Sequence, residues 1–299
     1  MIEPPSRRSA LLAIAIATTA LWACAPGAST AAAPGDVPAR DALAEMERTV
    51  GGRVGVYALD TASGRSVAHR EDERFCLAST FKWALVAAVL HQADRGALSL
   101  DERIAYGRAD LLDNAPVTAR HVDEGSLSLQ DLARAAVTVS DNTAANLLLG
   151  KVGGPAGLTA FFRQAGDRMT RLDRSEPALG ENAPGDVRDT TSPRAMVGLV
   201  RSVLCGDVLS PGSRGWLLNA MRKCETGRRR LRAGLPGDWD VGDKTGTGNR
   251  GALNDVAIAL PPGRAPILIA AYLSDGGASG EELEAVQAKI ARHVAAQLS

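Results

Sequence analysis

The sequence has no excess of charge of either sign: Lys plus Arg and Asp plus Glu each total 34 of 299 residues. That balance leaves no net basic field, and apart from the local run Arg228-Arg229-Arg230 there is no basic stripe of the kind that holds a phosphate backbone, so no nucleic-acid partner is expected. Histidine is scarce and scattered. The four, His69, His91, His121 and His293, form no HxH or HExxH pair, so no metal site is expected. Cysteine is equally scarce. Cys24, Cys76, Cys205 and Cys224 match no zinc spacing and are expected to be buried thiols. There is no internal repeat and no long low-complexity linker. The one long apolar stretch, Ala10 to Ala23, falls short of the roughly 20 residues that a spanning helix needs.

What is present is an ordinary globular composition, 45% hydrophobic and 23% charged. The length allows one or two domains with a sizeable core. Residues 1–33 are expected to be an export signal and a loose N-terminus. Arg7-Arg8 form a basic head, Ala10 to Ala23 an apolar body, and small residues follow. Ser6-Arg7-Arg8-Ser9-Ala10-Leu11 resembles a twin-arginine signal, although Ala10 stands where an aromatic is usual. Leu21-Trp22-Ala23-Cys24 resembles a lipoprotein box, which would put a lipid anchor on Cys24. Plain cleavage near Ala23–Ala25 or near Ala33 is the alternative. An exported, periplasmic protein is expected either way.

Strand patterns occupy both ends of the remaining chain and helical patterns its middle. Arg53 to Asp60 and Arg65 to His69 read as strands around a turn at Thr61–Gly64. Thr80 to Arg95 is apolar nearly all round, hence a buried helix, and Gly96 stops it. Leu129 to Val139, Thr143 to Leu149, Thr191 to Leu204 and Pro211 to Arg222 read as further helices. Trp239 to Lys244, Ala252 to Leu260 and Ile267 to Leu273 read as strands, and Glu281 to Leu298 as a closing helix. The pattern predicts an α/β plus all-α fold: an antiparallel sheet flanked by terminal helices, with an inserted all-helical domain. The expected boundaries are 34–70 with 223–299 for the discontinuous α/β part and 71–222 for the helical part. The active site is expected between them.

Three short motifs fall at element boundaries. Ser79-Thr80-Phe81-Lys82 opens the buried helix, and residues three apart share a helix face. A serine hydroxyl needs a nearby base to become a nucleophile, and a desolvated lysine is one. Alone this signal is weak, because S-x-x-K arises about once by chance in a chain this long. Ser140-Asp141-Asn142 lies at a helix–helix junction, where its plain reading is a capping turn. Lys244-Thr245-Gly246, with Thr247-Gly248 after it, ends a strand. Its plain reading is a charged edge strand, which can also pair with an extended substrate.

Together and in this order, the three motifs resemble those of the class A serine β-lactamases. The resemblance runs from about Asp41 to the C-terminal helix. It is supported by Asp189-Thr190-Thr191 with Pro193, and by Ala115-Pro116-Val117-Thr118. Arg174-Ser175-Glu176-Pro177-Ala178-Leu179 is similar to the omega loop that separates this family from its relatives. The resemblance implies an Arg174–Asp189 salt bridge across the loop base, a brace from Asn146, and a cis peptide before Pro177. It implies that Ser79 is the nucleophile and that its proton goes to Lys82, or through water to Glu176. It implies further that Ser140 relays a proton to the leaving nitrogen and that Glu176 activates the deacylating water. Asn142 would hold the substrate's acyl-amide side chain, and Lys244 and Thr245 would meet its carboxylate. Backbone N–H groups of Ser79 and Thr247 would hold the oxyanion. Neither a cofactor nor a metal is implied. The expected partner is a small-molecule β-lactam, and the protein is expected to be a monomer.

The chain also departs from the family's pattern. Gly180 replaces the Asn that often holds the hydrolytic water beside Glu176. Leu253 stands where some members place a carboxylate-binding arginine, and Arg230 matches the alternative used by others. Asn114 replaces a common gating aromatic. Two competing readings share most of the motifs: a D,D-peptidase or penicillin-binding protein, and a non-hydrolytic β-lactam sensor. The first lacks a Glu-bearing omega loop. The second is normally joined to a membrane or signalling segment.

Overall fold

The computed structural model describes residues 37–299, and the signal features and Cys24 lie outside them. Chain order begins with helix α1 (Val37–Val50), strands β1 (Arg53–Asp60), β2 (Ser66–His69) and β3 (Phe75–Cys76), and helix α2 (Phe81–Asp94). A hairpin of β4 (Arg103–Ala105) and β5 (Ser126–Ser128) leads into α3 (Leu129–Thr138), α4 (Asn142–Lys151) and α5 (Gly154–Gln164). Then come β6 (Thr190–Thr191), α6 (Pro193–Val200), α7 (Pro211–Arg222), β7 (Asp240–Thr247), β8 (Leu253–Leu260), β9 (Ile267–Ser274) and α8 (Gly280–Leu298).

The main sheet has five antiparallel strands in the order β2-β1-β9-β8-β7. It is built from both ends of the chain, as expected, and β7 is an edge strand. All eight residues of β9 are buried. Such a run fits an antiparallel strand only when both faces of the sheet are covered. Alternation divides the faces. Ile267, Ile269, Ala271 and Leu273 join a core with Leu283, Val286, Ile290 and Val294 of α8. Leu268, Ala270 and Tyr272 point the other way, into a core shared with α2, α3 and α4.

Helix α2 is buried from Phe81 to Leu90, which explains its lack of an apolar stripe. Truncating a leucine there, such as Leu85, costs about 2–5 kcal/mol. The helix expected over Thr191 to Leu204 instead begins at Pro193, and Arg201–Cys205 closes as a π turn. Ser192 caps it by accepting from Ala195 N, while Thr190 and Thr191 pair with β3. Strands β4 and β5 carry patterns too short to read from sequence, and Gly154, Pro155 and Gly157 interrupt the period of α5. Cys76 and Cys224 are buried, but Cys205 is exposed, which corrects the expectation for that thiol. Among the described residues no helix is long and apolar enough to cross a membrane.

Candidate active site

A cavity of about 370 Å³ is lined by Ser79, Ser140, Asn142, Glu176, Arg230, Thr245 and Thr247, with Asn114, Thr226 and Gly246. Size does not single it out. A hollow of about 490 Å³ lies elsewhere, beside Arg53, Cys76, Asp186 and Arg250. What distinguishes the smaller cavity is the convergence of hydroxyls, amides and charged groups.

Ser79 sits in a 3₁₀ turn, Ala78–Thr80, that runs directly into α2. The preceding Ala78 has φ 42°, a left-handed conformation unusual for a residue with a side chain. Ser79 Oγ donates to Glu176 Oε1 at 3.1 Å. Lys82, one helical turn on, is fully buried. Its Nζ donates to Ser140 O at 2.9 Å, Ser140 Oγ at 3.4 Å and Asn142 Oδ1 at 2.5 Å, and meets Glu176 Oε1 at 3.0 Å. Burial pushes the Lys82 ammonium pKa down, and the Glu176 carboxylate pulls it back up.

Ser140-Asp141-Asn142 forms the expected capping turn, and Ser140 and Asn142 also line the cavity. Asp141 caps α4, accepting from Ala144 N at 2.9 Å, and also binds Val117 N and Thr118 N. That buried carboxylate ties Ala115-Pro116-Val117-Thr118 to the junction and lets its neighbours face the cavity. Ser140 has φ 60°, held by these contacts. Asn142 Nδ2 donates to Asp113 O at 2.8 Å, which fixes its amide.

Strand β7 runs from Asp240 through Thr247, beyond the Trp239 to Lys244 expected. Lys244 is fully buried, and its Nζ donates to Ser140 Oγ at 3.1 Å and Thr245 O at 2.7 Å. Burial lowers its pKa to about 8, with Lys82 and Arg230 pushing the same way. Thr245 Oγ1 lies 2.5 Å from Thr226 Oγ1, a cavity residue that the motifs did not indicate. Gly246 is required here. A Cβ on it would stand 2.9 Å from Leu77 O and 3.1 Å from Ser79 N.

Arg230 belongs to the cavity wall and is 6% exposed. Its Nη1 donates to Gly246 O and Asn254 O at 2.9 and 2.8 Å, and its Nη2 to Thr247 Oγ1 at 2.8 Å. Burial lowers its pKa, opposed by Asp255 and Glu284. Leu253 is buried in the core beneath α8.

The segment carrying Glu176 is held at both ends. Arg174 Nε donates to Asp189 Oδ2 at 2.6 Å, and Asp189 Oδ1 accepts from Asp173 N and Arg174 N. Asn146 Nδ2 donates to Glu176 O at 3.0 Å and its Oδ1 accepts from Glu176 N at 3.1 Å. The Glu176–Pro177 peptide is cis.

The chain matches the model of the Beta-lactamase enzyme family over residues 38–298. It is 48% identical over 275 residues to β-lactamase L2 of Stenotrophomonas maltophilia, covering 91% of this chain and 90% of that protein. It is 45% identical to the carbapenem-hydrolyzing β-lactamase KPC of Klebsiella oxytoca, covering 84% and 85%. Its fold is similar to the class A β-lactamase of the last common ancestor of Gram-negative bacteria. That similarity has a TM-score of 0.86 and 54% identity, over 88% of this chain and 100% of the other.

Proposed function

The chain belongs to the class A β-lactamases and hydrolyses β-lactams, and from that premise we propose how its own residues divide the work. Ser79 Oγ attacks the lactam carbonyl carbon while its proton passes into the Lys82–Glu176 pair. The carbonyl oxygen becomes an oxyanion facing the N–H groups of Ser79 and Thr247, a contribution of roughly 3–4 kcal/mol at comparable sites. The C–N bond breaks, and the ring nitrogen takes a proton through Ser140. Glu176 then removes a proton from water, which attacks the acyl ester and releases Ser79.

Asn142 holds the substrate's amide side chain. Lys244, Thr245 and Arg230 meet its carboxylate. Asn146, Arg174 and Asp189 keep Glu176 in place. The observation that carries this reading is the single hydrogen-bonded set joining Ser79, Glu176, Lys82, Ser140 and Lys244 in one cavity.

A chromogenic cephalosporin tests it. The protein should turn over many equivalents, and Ser79→Ala should not. One stoichiometric burst from the unaltered protein would instead favour a penicillin-binding protein or a sensor.

We propose further that residues 34–70 with 223–299 and residues 71–222 act as two bodies with the site between them. The core beneath α8 supports this, since its buried members come from 43–67 and 231–298. A monomeric, periplasmic enzyme is proposed, exported by the Arg7-Arg8 signal and either lipid-anchored at Cys24 or cleaved free. The intact mass of the exported protein decides between those two forms.

A further inference from the structure

We propose that Asn254 is a positioning residue for the oxyanion site, clamping the backbone just before Ser79 against the sheet. This rests on the reading of Ser79 as the nucleophile whose own N–H holds the oxyanion.

Residues paired across neighbouring strands point to the same face of a sheet. Gly246 pairs with Asn254, Asn254 with Tyr272, and Tyr272 with Gly55. These four residues therefore form one row across β7, β8, β9 and β1, and the row lies under residues 75–80. At Gly246 the missing side chain leaves room for Leu77 O and Ser79 N. At Gly55 it leaves room for the Phe75 ring, which a Cβ would meet at 2.3 Å. The Tyr272 hydroxyl lies 3.3 Å from Thr80 Oγ1. Asn254 supplies the row's amide: its Nδ2 donates to Cys76 O at 2.8 Å and approaches Leu77 O at 3.4 Å.

The position is 1% exposed, in a strand otherwise rich in apolar residues. Its Oδ1 is buried without a partner. An apolar side chain would avoid that cost, so packing alone does not account for an Asn here. The two carbonyls that it faces only accept hydrogen bonds, which sets the amide's orientation. On the far side of the segment, Leu77 N donates to Asp189 O at 2.8 Å. The Cys76–Ala78 backbone is thus held from both sides, where Ala78 adopts its left-handed φ and Ser79 N is aimed. The backbone carbonyl of Asn254, which binds Arg230, survives any substitution of the side chain.

The test uses Asn254→Ala and Asn254→Ser in a Glu176→Gln background, where the acyl-enzyme accumulates and acylation is read in a single turnover. The acylation rate should fall by about 10- to 100-fold, in line with the cost of misplacing reacting groups. The apparent substrate dissociation constant should stay within about twofold, because the lost clamp acts on the transition state. Affinity for a boronic acid that forms a tetrahedral adduct on Ser79 should fall in parallel with the rate. An unchanged acylation rate, or equal losses in rate and substrate affinity, overturns the proposal.

One readout is independent of variant folding. In the unaltered enzyme the Asn254 side-chain amide protons should exchange slowly, and fast exchange overturns the clamp. Ser79→Ala separates the two levels. If that variant still hydrolyses substrate, the nucleophile assignment fails whatever Asn254 does.

Discussion

Glu176→Gln keeps the volume of the side chain and removes its charge. In the folded protein that carboxylate stands 3.0 Å from Lys82 Nζ and accepts from Ser79 Oγ at 3.1 Å. At an effective dielectric constant of about 20, the Coulomb attraction at that separation is roughly 5 kcal/mol before desolvation is counted against it. Glutamine forfeits most of it. Burial already pushes the Lys82 ammonium pKa down, and Glu176 is the main group pulling it up. The substitution therefore lowers that pKa further and favours the neutral amine beside the nucleophile. Such an amine accepts the Ser79 proton, so acylation persists. Deacylation is expected to have no such substitute, because among the described residues Glu176 is the only carboxylate lining the cavity. Losing general-base help there should slow it by about 10²–10⁴. With a chromogenic cephalosporin in stopped flow, the variant should release one equivalent in a burst. It should then turn over at least about a hundredfold more slowly than the unaltered enzyme, and intact-mass analysis should find the acyl adduct. Glu176→Ala should behave alike. Turnover at the unaltered rate refutes the assignment of the deacylating base. A variant that forms no adduct shows instead that the carboxylate is indispensable for acylation.

Three further outcomes are expected. Lys244 is a cation only below its folded pKa of about 8, so kcat/KM for penicillins should decline as pH rises through that value. Between about 8 and the ordinary lysine value of 10.5 the unfolded chain keeps a proton that folded Lys244 has released, so urea titrations should show stability rising with pH across that window, and Lys244→Ala should lack the rise. Arg230→Ala should raise KM for penicillins by about tenfold or more, from loss of a charged hydrogen bond to the substrate, whereas exposed Arg228→Ala should leave it nearly unchanged; equal effects would sink the Arg230 assignment. Gly180 has space, since an added Cβ would meet only Gly248 Cα at 3.9 Å. Gly180→Asn should therefore fold normally, with Tm shifted by less than about 4 °C, and change the deacylation rate; unchanged burst and steady-state kinetics count against a role for this position in holding the water.

Most of the fold was legible because its signals are local. The turn at Thr61–Gly64, the stop at Gly96 and the continuous apolar run of α2 each declare themselves within a few residues. Helix α5 did not, because Gly154, Pro155 and Gly157 interrupt its period, and the π turn at Arg201–Cys205 did not, because its residues continue the helical pattern of α6. The site was legible for a different reason. Ser79, Lys82, Ser140, Asn142 and Lys244 sit in three short motifs whose joint occurrence is improbable, although each motif alone is ordinary.

What stayed hidden was everything set by strand register. Thr226 meets Thr245 only through tertiary packing, and Asn254 meets Cys76 only because β8 lies between β7 and β9. The Asn254-Asp255 pair inside an apolar strand was the available signal, since buried polar residues need a reason to be there. Arg230 shows the same limit. Its charge was readable in Arg228-Arg229-Arg230, but not that its guanidinium binds the carbonyls of Gly246 and Asn254. Those two residues also carry the backbone before Ser79. On the proposed roles, the group that would receive the substrate's carboxylate and the group that would hold its oxyanion are therefore built on one cross-strand pair. A change in that pair should move substrate affinity through Arg230 and acylation rate through Ser79, and the two effects are separable because one runs through a backbone carbonyl and the other through the Asn254 side chain.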